Sequence, residues 1–414
     1  MPQDILLVNM SGRNKPELLG LVSQMLSDHG VRILDIGEAV IHDELSLGLL
    51  LQVPAGTRGS RSTITLVLEQ LSEQAKDMGA ALRCTPISAA DYARWVGQQG
   101  QPRFIVTLLS NGITAAQLAA VTRLVSLYGL TIDGVRRLSG RVPLTVTERP
   151  IRASIELRLR GDLEDPVGLK SALLEAAAGL EFDFSIQEDN VYRRNRRLVA
   201  FDMDSTLIQA EVIDELARLH GVGEQVAAIT ESAMQGEIDF QTSFRKRVAL
   251  LKGLSADALQ QVADGVRLTD GADRLISTLQ HFGYRTAIIS GGFTLVGRRL
   301  QEILGIDYLF ANELDIADGA ATGEVRGPIV DADRKAQLLR EICQRERIAM
   351  AQAIAIGDGA NDLPMLAAAG LGVAFHAKPL VRASANHAIS RFGLDSVLYL
   401  IGFSDRDIAH IDLH

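Results

Sequence analysis

The sequence predicts an α/β protein in which a parallel sheet with helices on both faces follows two smaller α+β units. Three features point that way. From Leu198 onward, short apolar runs alternate with longer amphipathic stretches, as strands and crossover helices do in a parallel sheet. Before that, a β-α-β-β-α-β order occurs twice, about 100 residues apart. Three apolar runs also end in polar residues, Asp202, Ser290 and Asp358, which brings reactive groups to the carboxyl-end rim where such sheets bind ligands. At 414 residues the chain exceeds one ordinary core and implies several domains.

Composition narrows the function classes. Hydrophobic residues make up 47% and charged residues 22%, which describes a globular chain rather than a disordered one. A net charge of −9 argues against a general nucleic-acid binder. Cys84 and Cys343 stand far apart in no metal-ligand spacing, which suits a reducing compartment. The opening "MPQDILLVNM" has no basic region followed by an apolar one, so no signal peptide is expected. No apolar run reaches the roughly 18 to 20 residues of a membrane helix. The expected location is the cytosol, with no nucleic-acid or membrane partner.

In order along the chain, residues 4–10 read as a strand, 15–29 as an amphipathic helix ending at Gly30, and 31–53 as two strands. A helix over 61–79 and a strand over 80–87 complete a first domain spanning 1–92. The stretch "SAADYARWVGQQGQP" (88–102) reads as a linker. The second domain, 100–188, repeats the order: "RFIVTLLS", the pair Asn111-Gly112, a helix ending at Gly129, strands near 130–137 and 151–159, a helix near 166–179, and "EFDFSIQ". Each unit is too small for a large pocket. Together they suggest a regulatory or assembly region whose open sheet edges seek a partner.

The connector "EDNVYRRNRRL" (188–198) carries Arg193, Arg194, Arg196 and Arg197. A nucleic-acid patch is one reading. The cluster lacks interleaved aromatics and sits in an acidic chain, so a solvated linker or an interdomain ion-pairing segment is preferred. The remainder, 189–414, holds strands at 198–201, 284–290, 351–357 and 370–375 with helices between.

The rim carries the chemistry. Asp202 and Asp204 close the first strand of this half, and residues two apart on a strand share a face. Each carboxylate then raises the cost of ionising the other, which calls for a cation among them. Asp202 suits a nucleophile that attacks phosphorus to give an acyl phosphate. Asp204 suits the group that protonates the departing oxygen and later deprotonates water. Helix capping is the plain alternative for an isolated "DST". In "IGDGANDLPML", Asp358 and Asp362 flank a Gly-rich turn that lets the backbone approach closely. Asp202, Asp358 and the Asp204 main-chain carbonyl form an oxygen set suited to Mg²⁺, with Asp362 holding a bound water. An EF-hand loop is excluded by ligand spacing and the missing terminal Glu. Ser290 and the Gly291 N–H, in "IISGGF", and Lys335, in the first turn of "DADRKAQLL", are donors for phosphoryl oxygens. Alone, Ser290 is a turn residue and Lys335 a solvated lysine.

The ordered set DMDST, IISGG, Lys335 and GDGAND resembles the haloacid dehalogenase superfamily of phosphotransferases. The insert "EVIDELARLHGVGEQVAAITESAMQGEIDFQTSFRKRVALLKGL" is similar to the small helical cap of its phosphoserine phosphatases, placing a cap at about 207–268. The N-terminal repeats resemble ACT domains, so the likeness to ACT-containing phosphoserine phosphatases covers nearly the whole chain. The resemblance implies a Rossmann-like core, Mg²⁺, and hydrolysis of phosphoserine in serine biosynthesis. It also implies that Glu211 meets the substrate ammonium and Arg247 its carboxylate. Met234 and Phe240 would line the lid, and Asn361 would fix the phosphate. Where ligand-binding ACT units carry Gly-x-Asp, this chain has Gly12-Arg13-Asn14 and Asn111-Gly112-Ile113-Thr114. The expected partners are phosphoserine, a second copy of the chain, and an amino-acid effector, serine foremost. The rivals are a phosphatase for another small phosphomonoester and an amino-acid sensor with a vestigial phosphatase half.

Overall fold

The computed structural model describes residues 4–58, 61–145, 152–235, 237–385, 387–409 and 411. The chain forms two compact units, residues 1–101 and 102–414.

In the first unit, β1 (Asp4–Arg13), β2 (Arg32–Ile41), β3 (Glu44–Val53) and β4 (Ala81–Ile87) make an antiparallel sheet in the order β2-β3-β1-β4. Helices α1 (Leu18–Asp28) and α2 (Thr63–Asp77) complete the expected β-α-β-β-α-β order. Alternation sets the core face: Leu6, Val8 and Met10 of β1 are buried together with Leu45, Leu47, Leu49 and Leu51 of β3. Two expectations change here. The stretch expected to be a linker holds a helix, α3 (Ala89–Gly97), whose N-cap Ser88 accepts from the Asp91 N–H at 3.0 Å. Gly12 and Arg13 belong to β1, paired with Leu45 and Glu44, rather than to a turn at a helix start.

The second unit opens with β5 (Arg103–Ser110), α4 (Ala115–Leu127), β6 (Thr131–Arg137), β7 (Ala153–Arg160), α5 (Pro166–Leu180) and β8 (Asp183–Glu188). The chain then forms β9 (Leu198–Phe201) and four helices: α6 (Val212–His220), α7 (Gly223–Met234), α8 (Phe240–Ala249) and α9 (Ala256–Gly265). After them come α10 (Ala272–His281), β10 (Arg285–Phe293), α11 (Thr294–Leu304), β11 (Tyr308–Ala317), β12 (Ala320–Arg326) and α12 (Ala332–Glu346). The last elements that matter here are β13 (Ala353–Gly357), α13 (Leu363–Ala368), β14 (Leu371–Phe375), α14 (Pro379–Ser384) and β15 (His387–Ile389).

All these strands join one eleven-stranded sheet, ordered β12-β11-β10-β9-β13-β14-β15-β8-β5-β7-β6. From β11 to β15 neighbours run parallel, and β9 is central, between β10 and β13. Every residue of β9 is buried: Val199 and Phe201 face one apolar layer, Leu198 and Ala200 the other. That two-sided burial is why "LVAF" has no polar alternation. The antiparallel hairpin β11–β12 and the short β15 were not expected from the sequence.

The sheet of the second α+β repeat is continuous with the parallel core through β15, where Phe184 stands opposite Ala388. The arginine-rich connector secures the same junction. Arg193 is buried and pairs with buried Glu156 of β7 at 2.8 Å, and Arg194 pairs with Asp189 at 2.8 Å. Both parts of the preferred reading hold: Arg193 makes an interdomain ion pair, whereas Arg194, paired within the connector, and Arg197 are exposed to solvent.

Candidate active site

The strand β9 stops at Phe201 because Asp202 turns its carboxylate back on the chain, where Oδ1 accepts from the Met203 N–H at 2.8 Å. The turn that follows, Met203–Leu207, holds Ser205 at φ 55°, a left-handed conformation that is costly for serine. Asp202 and Asp204 thereby face one cavity of about 540 Å³. Glu211, Phe240, Arg247, Ser290, Gly291, Asp358 and Asn361 line the same cavity, so the sequence-predicted rim and cap residues converge. Helix α7 contributes Thr230 and Ala233 to the wall; it ends at Met234, whose side chain lies outside the described residues.

Glycines set two close approaches. A Cβ on Gly292 would come 2.8 Å from Asp204 Oδ2 and 2.6 Å from Met203 Cε. A Cβ on Gly357 would come 2.4 Å from the Asp362 carboxyl group. Only glycine lets these carboxylates sit against the strand ends.

Lys335 lies in the opening of α12, behind N-cap Asp331, and is fully buried rather than solvated. Its Nζ reaches Asp202 Oδ1 at 2.9 Å and Asp362 Oδ1 at 2.6 Å. Burial opposes the ammonium, but the two carboxylates outweigh it and raise its pKa above that of a free lysine. The second oxygen of Asp362 accepts from the Gly359 N–H at 2.9 Å. Ser290 is buried, with its Oγ accepting from the Gly292 N–H at 3.0 Å. Asn312, absent from the sequence reading, braces this turn: its Nδ2 donates to Gly291 O at 2.7 Å and its Oδ1 accepts from Val330 N–H at 2.9 Å. Thr206, also missed, donates to Asp358 Oδ1 at 3.2 Å.

Electrostatics separate the carboxylates. Burial, and after it Glu211 and Asp202, pushes the Asp204 pKa well above the usual carboxylate range. Asp204 therefore keeps a proton at pH values where an ordinary aspartate has lost one, and its Oδ1 has no hydrogen-bond partner among the described residues. Asp358 rises to about 7 through burial and the Asp202 and Asp362 charges. Asp362 is raised by burial and Asp202. Oxygens of Asp202, Asp358 and Asp362 lie within 4.8 Å of one another. Acidic oxygens this crowded, all displaced toward protonation or paired with one lysine, fit a hard divalent cation. The Asp204 side chain is not part of that group.

The cap faces this rim. Ser205 Oγ donates to Glu211 Oε1 at 2.8 Å. Arg247 on α8 lines the cavity, and its Nε has no hydrogen-bond partner among the described residues. Phe240, Phe244 and Phe293 form an aromatic wall with ring centroids 6.0 and 5.9 Å apart. Lys378, Leu380 and Val381 complete the opposite side; nothing in their spacing marked them in the sequence.

Comparisons with known proteins agree with this geometry. Residues 196–370 match the family model for haloacid dehalogenase-like hydrolases, and residues 4–85 match an ACT domain. A phosphoserine phosphatase of Streptomyces coelicolor is 39% identical over 409 residues, covering 98% of this chain and 94% of that protein. Phosphoserine phosphatase SerB2 of Mycobacterium tuberculosis is 37% identical over 413 residues, covering 100% and 97%. The unliganded structure of a probable phosphoserine phosphatase from Vibrio cholerae superposes with a TM-score of 0.58 at 35% identity, covering 75% of this chain and 90% of that one.

Proposed function

The chain belongs to the phosphoserine phosphatases of the haloacid dehalogenase superfamily, and from that premise we propose that it hydrolyses O-phospho-L-serine to L-serine and phosphate through an aspartyl phosphate on Asp202. The observation that carries this reading is the division of labour between two carboxyl groups in one cavity. Asp202 lies against the Lys335 ammonium, whereas Asp204 is driven toward its protonated form.

Ser290 Oγ, the Gly291 N–H, Lys335 and Asn361 hold the phosphoryl oxygens. An Asp202 oxygen attacks phosphorus as the bond from phosphorus to the seryl oxygen breaks, and the Asp204 proton goes to that oxygen. Asp204, now a carboxylate, takes a proton from water as the water oxygen attacks phosphorus. The bond from phosphorus to Asp202 breaks and both aspartates return to their starting states. Asp202, Asp358 and the Asp204 main-chain carbonyl would hold a Mg²⁺ ion, which would offset the negative charge of the phosphoryl group. Asp362, with both oxygens engaged by Lys335 and Gly359, is the outer carboxylate of that arrangement. Glu211 receives the substrate ammonium, Arg247 its carboxylate, and Phe240 closes the apolar side. The reading extends to a role in serine biosynthesis, whose end product L-serine is what this reaction releases, in the cytosol expected from the sequence. The ACT-like units support two further parts of the reading, a homodimer and serine as an effector. Sedimentation of the full chain with and without serine tests both.

Phosphate release is measured across a panel of phosphomonoesters with Mg²⁺, with EDTA, and after Mg²⁺ is restored. Phosphoserine should be the preferred substrate, with activity lost in chelator and regained with the metal. Full activity in EDTA would sink the metal assignment, and a flat substrate profile would sink the specificity.

A further inference from the structure

A second cavity of about 340 Å³ lies within residues 102–414, between the second α+β repeat and the parallel core. Phe104, Leu163 and Ile186 give it apolar walls, while Lys170, Arg196 and His387 contribute its cationic and imidazole groups. Arg196 is 7% exposed, and its Nη1 donates to Ala351 O at 2.6 Å and Ala353 O at 3.5 Å. Its Nε is buried with no hydrogen-bond partner among the described residues. Lys170 on α5 donates to Ala383 O of α14 at 2.9 Å and likewise has no carboxylate partner among the described residues. Buried charges are normally paired, yet Arg196 is buried beside half-buried Lys170, and the one carboxylate of the lining, Glu188, pairs with neither among the described residues.

The histidine adds a donor. The Ser185 hydroxyl accepts from Gln187 Nε2 at 3.1 Å, which directs its own proton to His387 Nδ1 at 2.9 Å. That leaves the His387 proton on Nε2, for which the described residues offer no acceptor. Burial, and after it Arg196 and Lys170, drives the His387 pKa down to about 3, so the ring is neutral. Glu188, exposed and touched by Asn190 Nδ2 at 3.4 Å, is the carboxylate of the lining.

We propose that this interdomain cavity is a binding site for a small oxyanion, held by Lys170, Arg196 and the Nε2–H of His387. Inorganic phosphate and the carboxylate of an α-amino acid share that chemistry; the amino acid adds an ammonium that Glu188 can receive. The site stands apart from the catalytic cavity but adjoins its wall. Ala383, which Lys170 grips, is on the helix whose Leu380 and Val381 line the active site. Only the choice of probes rests on the phosphatase reading.

The test follows the His387 ring by NMR in the full chain with labelled histidine, the resonance being identified by its loss in His387→Gln. Phosphate and L-serine are titrated separately at neutral pH against sodium chloride of equal ionic strength. A saturable movement with phosphate or with serine identifies the oxyanion source. Lys170→Gln should then raise that Kd about tenfold or more. A resonance that neither ligand moves, an equal response to chloride, or an unchanged Kd in Lys170→Gln would overturn the proposal. Phosphate release from phosphoserine is measured on the same samples, so a failed site and a failed catalytic reading give different results.

Discussion

At the scale of the residue, the pairing of Lys335 with Asp202 makes a direct demand on chemistry. Asp202→Asn removes the attacking oxygen while keeping the shape that accepts the Met203 N–H, so the fold should survive. Turnover should fall on the order of 10⁴-fold or more, as when a nucleophile is removed from a site whose groups act as a unit. Rapid quenching of wild type with phosphorus-labelled substrate should leave label on Asp202. Near-normal turnover of Asp202→Asn would reassign the nucleophile. Arg247 is a half-buried guanidinium whose Nε lacks a partner among the described residues. Arg247→Ala should reduce kcat/KM for phosphoserine on the order of 10²-fold, the loss expected for truncating a desolvated charge pair. For p-nitrophenyl phosphate, which has no carboxylate, the loss should be far smaller. Equal losses would place Arg247 on the phosphate or on folding.

The residues legible from a strand end or a Gly-rich turn were Asp202, Asp204, Ser290 and Asp358, while Glu211, Arg247 and Asn361 were legible through the family resemblance. The complete burial of Lys335 was not legible, because it arises when α12 packs its first turns against the rim. Asn312 and Thr206 were missed for a related reason. Each is one polar residue whose partner, Gly291 or Asp358, is distant in the chain.

At the scale of the element, β15 is a three-residue strand that the sequence did not announce, since "HAI" has neither alternation nor a turn signal long enough to read. Its strand character comes from neighbours, β14 on one side and β8 on the other. His387 makes this element sensitive to acid. The ring's folded pKa of about 3 lies below its unfolded value of about 6.5, so the unfolded chain takes up the proton first. The stability from keeping His387 neutral is therefore complete above about pH 6.5 and is lost as pH falls toward 3. Relative to His387→Gln, wild type should lose about 1.4 kcal/mol per pH unit across that window. Denaturant unfolding of both proteins from pH 7 downward measures the difference. Parallel pH profiles would mean that the ring is not buried in its neutral form. The hairpin β11–β12 was missed differently. Its positions are only partly buried, so its pattern resembles a polar connection.

At the scale of the whole molecule, the alternating second half and the N-terminal repeat were readable, whereas the union of the second repeat with the core was not. Sheet order depends on which edges meet, and Asp183–Glu188 gives no sign that its outer edge pairs with residues far ahead. That union predicts how truncations behave. A chain beginning at Pro102 keeps every strand of the eleven-stranded sheet and should retain soluble phosphatase activity. A chain beginning at Asn190 uncovers β15 and strips Arg193 of Glu156, leaving an edge strand open and a buried charge unpaired. It should precipitate or melt at lower temperature, which expression yield and thermal unfolding will show. Equal stability of both chains would mean the shared sheet contributes little.

The same seam bears on how the protein is made. Ser185 and His387 are 202 residues apart in sequence, yet they hydrogen-bond across neighbouring strands. A ribosome adding roughly 5–20 residues per second leaves the outer edge of β8 waiting roughly 10–40 s for its partner. During that interval the second repeat is a nascent domain with one bare backbone edge beside the translation machinery, open to chaperones and to neighbouring chains alike. Slowing elongation over residues 190–386 should therefore lower the soluble yield, and pulse-labelled nascent chains should become protease-resistant at β8 only after β15 has emerged.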